Sequence, residues 1–306
     1  MRSNADQQLR ATRCVPGLVY YHRDLDGLVA GWAVWSAYTR GAREAVGMRT
    51  IDVQYGEPPP TPADVCGKSV AVVDFAWPEH VLTGLRATAS ELVVIDHHKT
   101  AEWLTDFPGA IWDVSKSGCR LAWEAFHPDE PPPPIVLFTE DRDLWRWSLP
   151  GTREYCAALE NLDWSMQAMD EAADFPFERL IETGRVLVSY QDRFAERVAR
   201  KAVPGTLRGG HAARFVDTGS SSGLVSEIGD AMGRVWPDAT VFVMLRWQGG
   251  DKWIVSLRSR SCGEGGPDVG AIARSLGGGG HKHAAGFVCD WSQLQALLPG
   301  EGKTCA

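Results

Sequence analysis

The chain has 306 residues, of which 44% are hydrophobic, and its formal net charge is -8. This length and composition are enough for one large globular domain or, more naturally, for two. The negative charge argues against long nucleic acid as a general partner, because phosphate backbones are bound mainly by Lys and Arg on the protein surface. Small or short anionic substrates stay open.

Three features predict a cytoplasmic protein that has no membrane partner. Residues 1–17 lack the apolar core of a signal peptide, and the sequence contains no run of about 18 apolar residues that could cross a bilayer. The cysteines are odd in number and scattered, without a Cys-x-x-Cys pair, which is typical of reduced thiols: Cys14, Cys66, Cys119, Cys156, Cys262, Cys289 and Cys305.

A first strand is predicted over Leu18 to Tyr21, and a histidine and two acids alternate directly after it: His22, Asp24 and Asp26. A helix is predicted after Gly27, since apolar residues then repeat at helical spacing. One acid at this place would serve simply as a helix cap. In an extended loop, however, alternate residues point the same way, so the three side chains can converge, and their repulsion would then require a cation.

Two further predicted strands end in polar residues of the same kind. The strands are Ser69 to Val73 and Leu92 to Ile95, and the residues that follow them are Asp74, Asp96, His97 and His98. The second run has the pattern of a strand buried on both faces, as in parallel sheets covered by helices. Ligands bind at the carboxyl ends of such strands. Carboxylates and imidazoles gathered there predict a site for a divalent transition metal such as manganese or zinc.

An apolar stretch over Ile135 to Phe138 leads into a later acidic segment, in which Asp141 or Asp143 would add a last acid to the cluster. A solvated charged turn is the alternative for this segment. A long amphipathic helix is predicted from Arg179 until Pro204 ends it, and its alternating charges are typical of a connector between domains.

Beyond Pro204 the pattern predicts a smaller mixed α/β unit. Its predicted strands are Arg214 to Asp217, Thr240 to Trp247, Lys252 to Leu257 and Phe287 to Cys289, and its helices are Leu224 to Val235 and Asp268 to Leu276. The most informative stretch is Gly277 to Gly280 followed by His281, because glycine lets backbone amides approach a phosphate or a base closely. A flexible linker is the alternative, but a linker would not lead into a His-x-His and a strand.

Together these motifs resemble the DHH-family phosphoesterases, which include RecJ-like exonucleases, nanoRNases, bisphosphonucleotide phosphatases and cyclic-dinucleotide phosphodiesterases. Asp24-Leu25-Asp26-Gly27 is similar to the first family motif, Asp74 to the second, Asp96-His97-His98 to the third and Asp141 to the fourth. The glycine-rich stretch with His281 is similar to the His motif of the DHH-associated C-terminal domain. The resemblance therefore covers most of the chain.

The resemblance implies an α/β fold in which a parallel-sheet DHH domain, residues 15–180, is joined by a helical linker, 181–204, to a smaller mixed α/β DHH-associated domain, 205–306. It implies a manganese-dependent phosphoesterase that acts on a small nucleotide or a short single-stranded oligonucleotide in a cleft between the domains. A RecJ-like single-strand exonuclease and a non-catalytic nucleotide-binding regulator with a decayed metal site are the alternatives. A homodimer is an assembly that the sequence leaves open.

The resemblance also implies two divalent metal ions, with Mn2+ preferred. One ion would be held by His22, Asp24 and Asp74, and the other by Asp26, Asp74, His97 and Asp141, so that Asp74 bridges both. Many family members have a histidine at the position of Tyr20, where this chain departs from the pattern. Two such ions can activate a water and neutralise the charge that develops during in-line displacement at phosphorus.

Other residues would act on the substrate rather than on the metal. His98 would face the substrate phosphate, while Asp96 would orient a ligating histidine. Substrate contacts in the second domain would come from Gly279, Gly280, His281 and Arg258. A planar guanidinium such as that of Arg258 suits bidentate phosphate binding.

Overall fold

The computed structural model describes residues 15–39, 47–207, 210–219, 222–260 and 266–297. The chain divides into two compact units, Met1–Leu187 and Val188–Ala306. This division falls within a long helix, Phe177–Ala199, in the region where the sequence predicts a connector. The domain limits at residues 180 and 204 stay predictions.

The first unit alternates strands with helices. Its strands are β1 (Leu18–His22), β2 (Arg49–Val53), β3 (Ser69–Val73), β4 (Glu91–Asp96) and β5 (Ala110–Trp112). Its helices are α1 (Leu25–Thr39), α2 (Pro62–Val65), α3 (Glu79–Arg86), α4 (Gly118–Phe126), α5 (Pro134–Asp143), α6 (Thr152–Glu160), α7 (Met166–Asp174) and the start of α8 (Phe177–Ala199), with a 3₁₀ segment over Lys99–Asp106. The apolar stretch before the acidic segment is thus part of α5.

The five described strands of this unit form one parallel sheet in the order β2-β1-β3-β4-β5. Successive residues of a strand alternate between two apolar layers, since Val93 and Ile95 pack with α1 and α4, whereas Leu92 and Val94 pack with α3. Both faces are therefore covered, as the continuous apolar run of β4 predicts. This arrangement leaves the carboxyl edge of the sheet as the place where polar side chains can gather.

Helix α1 begins at Leu25, three residues earlier than the sequence predicts. Asp24 caps the helix, because its Oδ1 accepts a hydrogen bond from Gly27 N–H at 2.9 Å and its carbonyl accepts one from Leu28 N–H. Asp26 consequently lies in the first helical turn and not in an extended loop. His22, Asp24 and Asp26 therefore do not converge on one point, and the acids reach two neighbouring places.

The second unit holds a six-stranded mixed sheet within its described residues, in the order β10-β11-β9-β8-β7-β6. The strands are β6 (Val203–Leu207), β7 (His211–Asp217), β8 (Val241–Gly249), β9 (Lys252–Ser259), β10 (Gly279–Gly280) and β11 (Ala284–Asp290), and the helices are α9 (Val225–Val235), α10 (Val269–Ser275) and α11 (Trp291–Gln295), with a 3₁₀ turn at Ser222–Leu224. Only β7 and β8 pair in parallel. The predicted fold class, a parallel-sheet α/β domain followed by a mixed α/β domain, is confirmed.

Among the described residues, no helix has the length and apolar content that a membrane span requires.

Candidate metal centre

The register of the parallel sheet places three polar residues side by side. Tyr21 pairs with Val73, and Val73 pairs with Ile95, so the next residue of each strand reaches the same carboxyl edge. These next residues are His22, Asp74 and Asp96. The predicted gathering of strand ends is therefore present, and the two histidines after Asp96 lie at the same edge.

His22 belongs to a first cluster together with Asp24 and Asp74. Its Nδ1 atom lies 2.8 Å from Asp24 Oδ2 and 3.7 Å from Asp74 Oδ2. The opposite ring nitrogen, Nε2, lies 3.0 Å from Gln54 Oε1, which also accepts a hydrogen bond from Tyr55 N–H. Because an amide oxygen can only accept, Nε2 must carry a proton, and Nδ1 is left as the nitrogen that faces the carboxylates. This is the tautomer that a metal ligand needs.

The charges around His22 favour a cation at this place. Burial alone would lower the pKa of His22, but its contacts with the carboxylates of Asp24 and Asp74 raise it to about 11. A positive charge between Nδ1 and these acids is therefore stabilised whether a proton or a metal ion supplies it. Despite the short distance to Asp24, Nδ1 has no well-directed hydrogen-bond partner, which fits a ligand position.

His97 is the centre of a second cluster. Its Nε2 atom lies 3.3 Å from Asp74 Oδ1, 3.6 Å from Asp143 Oδ2 and 3.8 Å from Asp26 Oδ2. Burial, followed by the charges of Asp26 and Asp24, raises the pKa of Asp74 well above its ordinary value. Burial and the charge of Asp26 do the same for the pKa of Asp143. Two of the carboxylates around this imidazole, those of Asp74 and Asp143, thus resist ionisation without a cation.

Asp74 links the two clusters. Its side chain is 1% exposed, and one carboxylate oxygen faces His22 while the other faces His97. Neither buried oxygen has a hydrogen-bond partner, although buried polar atoms are normally paired. The backbone of Asp74 is in the left-handed region, with φ of 56°, and its N–H donates to Ile95 O at 2.7 Å. Orphaned acceptors on a shared carboxylate fit a bridging metal ligand.

The amino terminus of α4 holds Asp26 in place. Its Oδ2 accepts a hydrogen bond from Gly118 N–H at 2.7 Å, and its Oδ1 accepts one from Cys119 N–H at 3.1 Å. Free amides at a helix start bind anions because their hydrogens have no partner within the helix. A Cβ atom at Gly118 would lie 2.4 Å from Asp74 Cβ. Glycine is therefore required where this helix approaches the bridging acid.

Asp96 orients His98. The carboxylate Oδ1 of Asp96 lies 2.7 Å from His98 Nδ1 and accepts hydrogen bonds from the N–H groups of His97 and His98. The imidazole that Asp96 contacts is thus that of His98, the histidine assigned to the phosphate, while His97 contacts Asp96 through its backbone N–H. His98 also lies close enough to Asp74 and His97 to complete a possible ligand set with them.

The structure departs from the sequence prediction at Asp141. This carboxylate points away from the clusters and accepts hydrogen bonds from the turn that follows α5, at Ser148 N and Oγ, Leu149 N and Thr152 Oγ1. Burial alone would raise the pKa of Asp141, but these bonds from Ser148 and Thr152 lower it to about 2. Asp143, the other acid of the segment, faces His97 instead. The structure thus does not bring the Asp141 carboxylate to the two clusters.

Three residues of the site carry no sequence signal that identifies their role. Gln54 orients His22, and Gly118 makes room for Asp74. The ring of Tyr55 packs against Phe75 with 4.5 Å between centroids, and it lies 5.4 Å from the ring of His22. A usable sequence signal near them is Ser117, because serine is favoured at a helix start and so indicates where α4 begins. Its Oγ accepts a hydrogen bond from Arg120 N–H as the helix cap.

The residues assigned to substrate in the second unit occupy one end of its sheet. Arg258 pairs with Ala284, and His281 N–H donates to Ala284 O at 2.7 Å, so both lie near the β10–β11 turn. His281 is exposed. The half-buried guanidinium of Arg258 donates to Ser226 Oγ and to Leu257 O, and burial lowers the pKa of Arg258.

The glycines of that turn have different roles. Gly280 has φ of 130°, and a Cβ there would lie 2.5 Å from Ala285 Cα. A Cβ at Gly278 would lie 2.1 Å from Gly286 O, whereas Gly279 has open space around it. Packing thus requires glycine at Gly278 and Gly280, while open space at Gly279 leaves room for a ligand to approach its backbone.

Comparisons with known proteins agree with this fold. Residues 209–299 match the DHHA1 domain family. An uncharacterized protein of Acanthamoeba polyphaga mimivirus is 26% identical over 241 residues, which are 76% of this chain. The chain spans only 56% of that protein's length.

Solved structures with a similar fold include two of RecJ. RecJ from Thermus thermophilus in complex with Mn2+ is 18% identical with a TM-score of 0.57, covering 95% of this chain and 52% of RecJ. An exonuclease RecJ bound to manganese is 17% identical with a TM-score of 0.56, covering 95% of this chain and 90% of that one. The DHH domain of a member of the s1p family of ribosomal proteins is 14% identical, with a TM-score of 0.60 and coverage of 96% and 90%.

Replacing Gly118 by Ala should remove metal binding while the protein stays folded. The new Cβ would collide with the buried side chain of Asp74, and the amide that holds Asp26 would move with it. Gly84→Ala is the matched control, since this glycine lies in helix α3 with open space around it. We expect Mn2+ stoichiometry, measured after equilibrium dialysis, to fall for Gly118→Ala only. Two bound ions in Gly118→Ala would contradict the placement of Asp74.

The two acids of α5 should separate into a structural and a metal-binding residue. Asp143→Asn should lower Mn2+ binding and raise the stability of the metal-free protein, because it removes a charge that faces Asp26. Asp141→Asn should instead lower the free energy of unfolding by about 1–3 kcal/mol, since the turn loses an ionised acceptor, and should still bind manganese when folded. Thermal melts with and without Mn2+ measure both effects, and the opposite pattern would restore Asp141 as the ligand.

Proposed function

The chain carries a DHHA1 domain and has the fold of DHH-family phosphoesterases such as RecJ, and from this premise we propose a manganese-dependent phosphoesterase. It would hydrolyse phosphoester bonds of small nucleotides or short oligonucleotides. The observation that carries this proposal is the buried carboxylate of Asp74, whose two unpaired oxygens face two different histidines. Within the described residues, neither oxygen has a hydrogen-bond partner that would explain its burial.

Two divalent ions would be held by the two clusters. His22, Asp24 and Asp74 would bind one ion, and Asp26, Asp74, His97 and Asp143 the other. Imidazole and carboxylate ligands suit manganese, and the RecJ structures with manganese support that choice. When bound, such a pair of ions lowers the pKa of a water and neutralises charge on a phosphate.

The protein's own residues prepare the site for this chemistry. The α4 amides keep Asp26 fixed, and Gln54 keeps Nδ1 of His22 directed at the acids, so little rearrangement is needed when ligands bind. In its doubly protonated form, His98 can donate one N–H to Asp96 and the other, on Nε2, to a phosphate oxygen of the substrate. Carboxylates without a bound cation would repel that phosphate, so metal binding must precede substrate binding.

We propose that residues of the second unit also contribute to substrate binding. The acidic balance of the chain supports small or short anionic substrates over long strands. In the second unit, the Arg258 guanidinium and the backbone at Gly279, Gly280 and His281 would contact the nucleotide.

The decisive test is turnover of a substrate panel by the metal-loaded protein. The panel is a dinucleotide, a bisphosphonucleotide, a cyclic dinucleotide and a longer single strand, each with Mn2+, with Mg2+ and with excess chelator. We expect hydrolysis of one of the small substrates with Mn2+, a lower rate with Mg2+ and none with chelator.

Asp74→Asn should lower the turnover number by orders of magnitude, because it removes the charge that both clusters share while Asn tolerates the left-handed backbone. Preference for the longer strand would favour the exonuclease alternative. Nucleotide binding without any turnover would favour the regulator. Full turnover in chelator by extensively stripped protein would refute a metal-dependent reaction.

Arg258→Ala should weaken substrate binding without changing metal content. A charge-assisted contact contributes about 1.5–3 kcal/mol, so KM should rise by roughly one to two decades. Arg258→Lys should recover only part of this loss, since Lys lacks the planar fork. Arg260→Ala is the control, because the Arg260 guanidinium bonds the carbonyls of Gly233 and Trp236 and has a structural role. An unchanged KM for Arg258→Ala, together with altered metal content, would show that the substrate-binding role assigned to Arg258 is wrong.

A further inference from the structure

Two exposed tryptophans lie in the turn after helix α5, the helix that carries Asp143. Trp145 is 55% exposed and Trp147 is 36% exposed. Their rings pack edge to face with centroids 4.9 Å apart. An indole contributes most to folding when it is buried, so a pair of tryptophans left open to solvent contributes little to the stability of this unit.

The backbone of both tryptophans is strained. Trp145 has φ of 55° and Trp147 has φ of 52°, in the left-handed region that bulky residues avoid. Within the described residues, the only other non-glycine with positive φ is Asp74, the bridging acid. Backbone strain of this kind costs about 1–3 kcal/mol per residue and is concentrated at functional sites. Among the described residues, the non-glycine positions with this strain therefore lie at the candidate metal centre and in this turn.

The surrounding structure holds the turn rigidly. The carbonyl of Asp141 accepts from the N–H groups of Arg146 and Trp147, and its carboxylate binds the residues that follow the turn. Arg146 Nη2 donates to Ser115 O at 2.6 Å, which ties the turn to the loop before α4. The tryptophans are thus presented on a fixed backbone and do not belong to a loose loop.

This turn adjoins the metal centre on its Asp143 side. Asp143 is in contact distance of His97, and Trp145 N–H donates to Arg142 O one residue before that acid. The loop to which Arg146 is tied leads directly into Gly118, which binds Asp26. A ligand whose phosphate occupies the metal centre would have its next group within reach of this turn.

We propose that Trp145 and Trp147 form a stacking platform for a nucleobase of the substrate. This inference rests on the proposed function, because it places the base of a nucleotide whose phosphate lies at the metals. A flat aromatic base stacks on indole with little regard to its sequence identity, and a rigid pair binds it without the entropic cost of ordering side chains. The platform gives the otherwise unused exposed indoles a ligand of matching shape.

The test compares two ligands that differ only in the base, adenosine 5'-monophosphate and ribose 5-phosphate, titrated calorimetrically into the Mn2+-loaded protein. Wild type should bind the nucleotide more tightly by about five- to a hundredfold, the range that base stacking supplies. The Trp145→Ala/Trp147→Ala variant should bind both ligands with the affinity of ribose 5-phosphate. The Trp145→Phe/Trp147→Phe variant should keep part of the preference for the nucleotide, since it retains aromatic rings.

Trp164→Ala is the matched control, because Trp164 lies in the same unit and is 44% exposed but is not part of the turn after α5. It follows α6, and its Nε1–H donates to Glu160 O. It should retain the full preference. Circular dichroism and Mn2+ stoichiometry show that each variant is folded and loaded. An alanine variant that still prefers the nucleotide overturns the platform, as does a wild type that binds both ligands equally, which would leave the indoles to a protein partner.

The two proposals fail separately in this design. A base preference that depends on both tryptophans, in a protein that hydrolyses none of the phosphoester panel, would sustain the platform and reject the phosphoesterase. Hydrolysis that needs manganese, with no base preference lost on substitution, would sustain the phosphoesterase and reject the platform.

Discussion

Repulsion between clustered carboxylates at the end of a parallel sheet is the constraint on which the first unit depends. Asp26, Asp74 and Asp143 face one histidine, and Asp74 also faces His22 beside Asp24. Burial and mutual charge raise the pKa of Asp74 and of Asp143, so ionised acids are unfavourable here until a cation joins them. The arrangement lowers stability in the absence of a cation, and its clusters are suitable for a metal ion.

Several neighbouring features hold the clustered carboxylates in place despite this repulsion. The α4 amides bind the carboxylate of Asp26, so one of the repelling acids has fixed, favourable partners. Gly118 allows the helix to approach Asp74 closely enough for this. The left-handed backbone of Asp74 turns its side chain to the edge of the sheet. Each of these features is local, yet each is explained only by the cluster of carboxylates that it contacts.

Hydrogen bonds to imidazoles divide the histidines by role. The Gln54 amide oxygen accepts a hydrogen bond from Nε2–H of His22, which directs Nδ1 at the acids. The Asp96 carboxylate instead binds Nδ1 of His98, which leaves Nε2 of that ring for other contacts. Neighbouring acceptors thus decide which nitrogen of each ring can meet a cation or a phosphate. The same fold in RecJ structures at 17% and 18% identity shows that the scaffold tolerates wide sequence change.

The sequence by itself determined the strands, their burial on both faces and the acids at their ends, because apolar runs and the residues that end them are local patterns. It also determined that His22, Asp74 and His97 meet, since the carboxyl ends of parallel strands share one edge. Tertiary structure decided between Asp141 and Asp143. Two residues apart on α5, they point about 200° from each other, and only the packed position of the helix shows which one faces the sheet. Gln54 and Gly118 act through contacts with residues that are distant in sequence, so no local pattern indicates their roles.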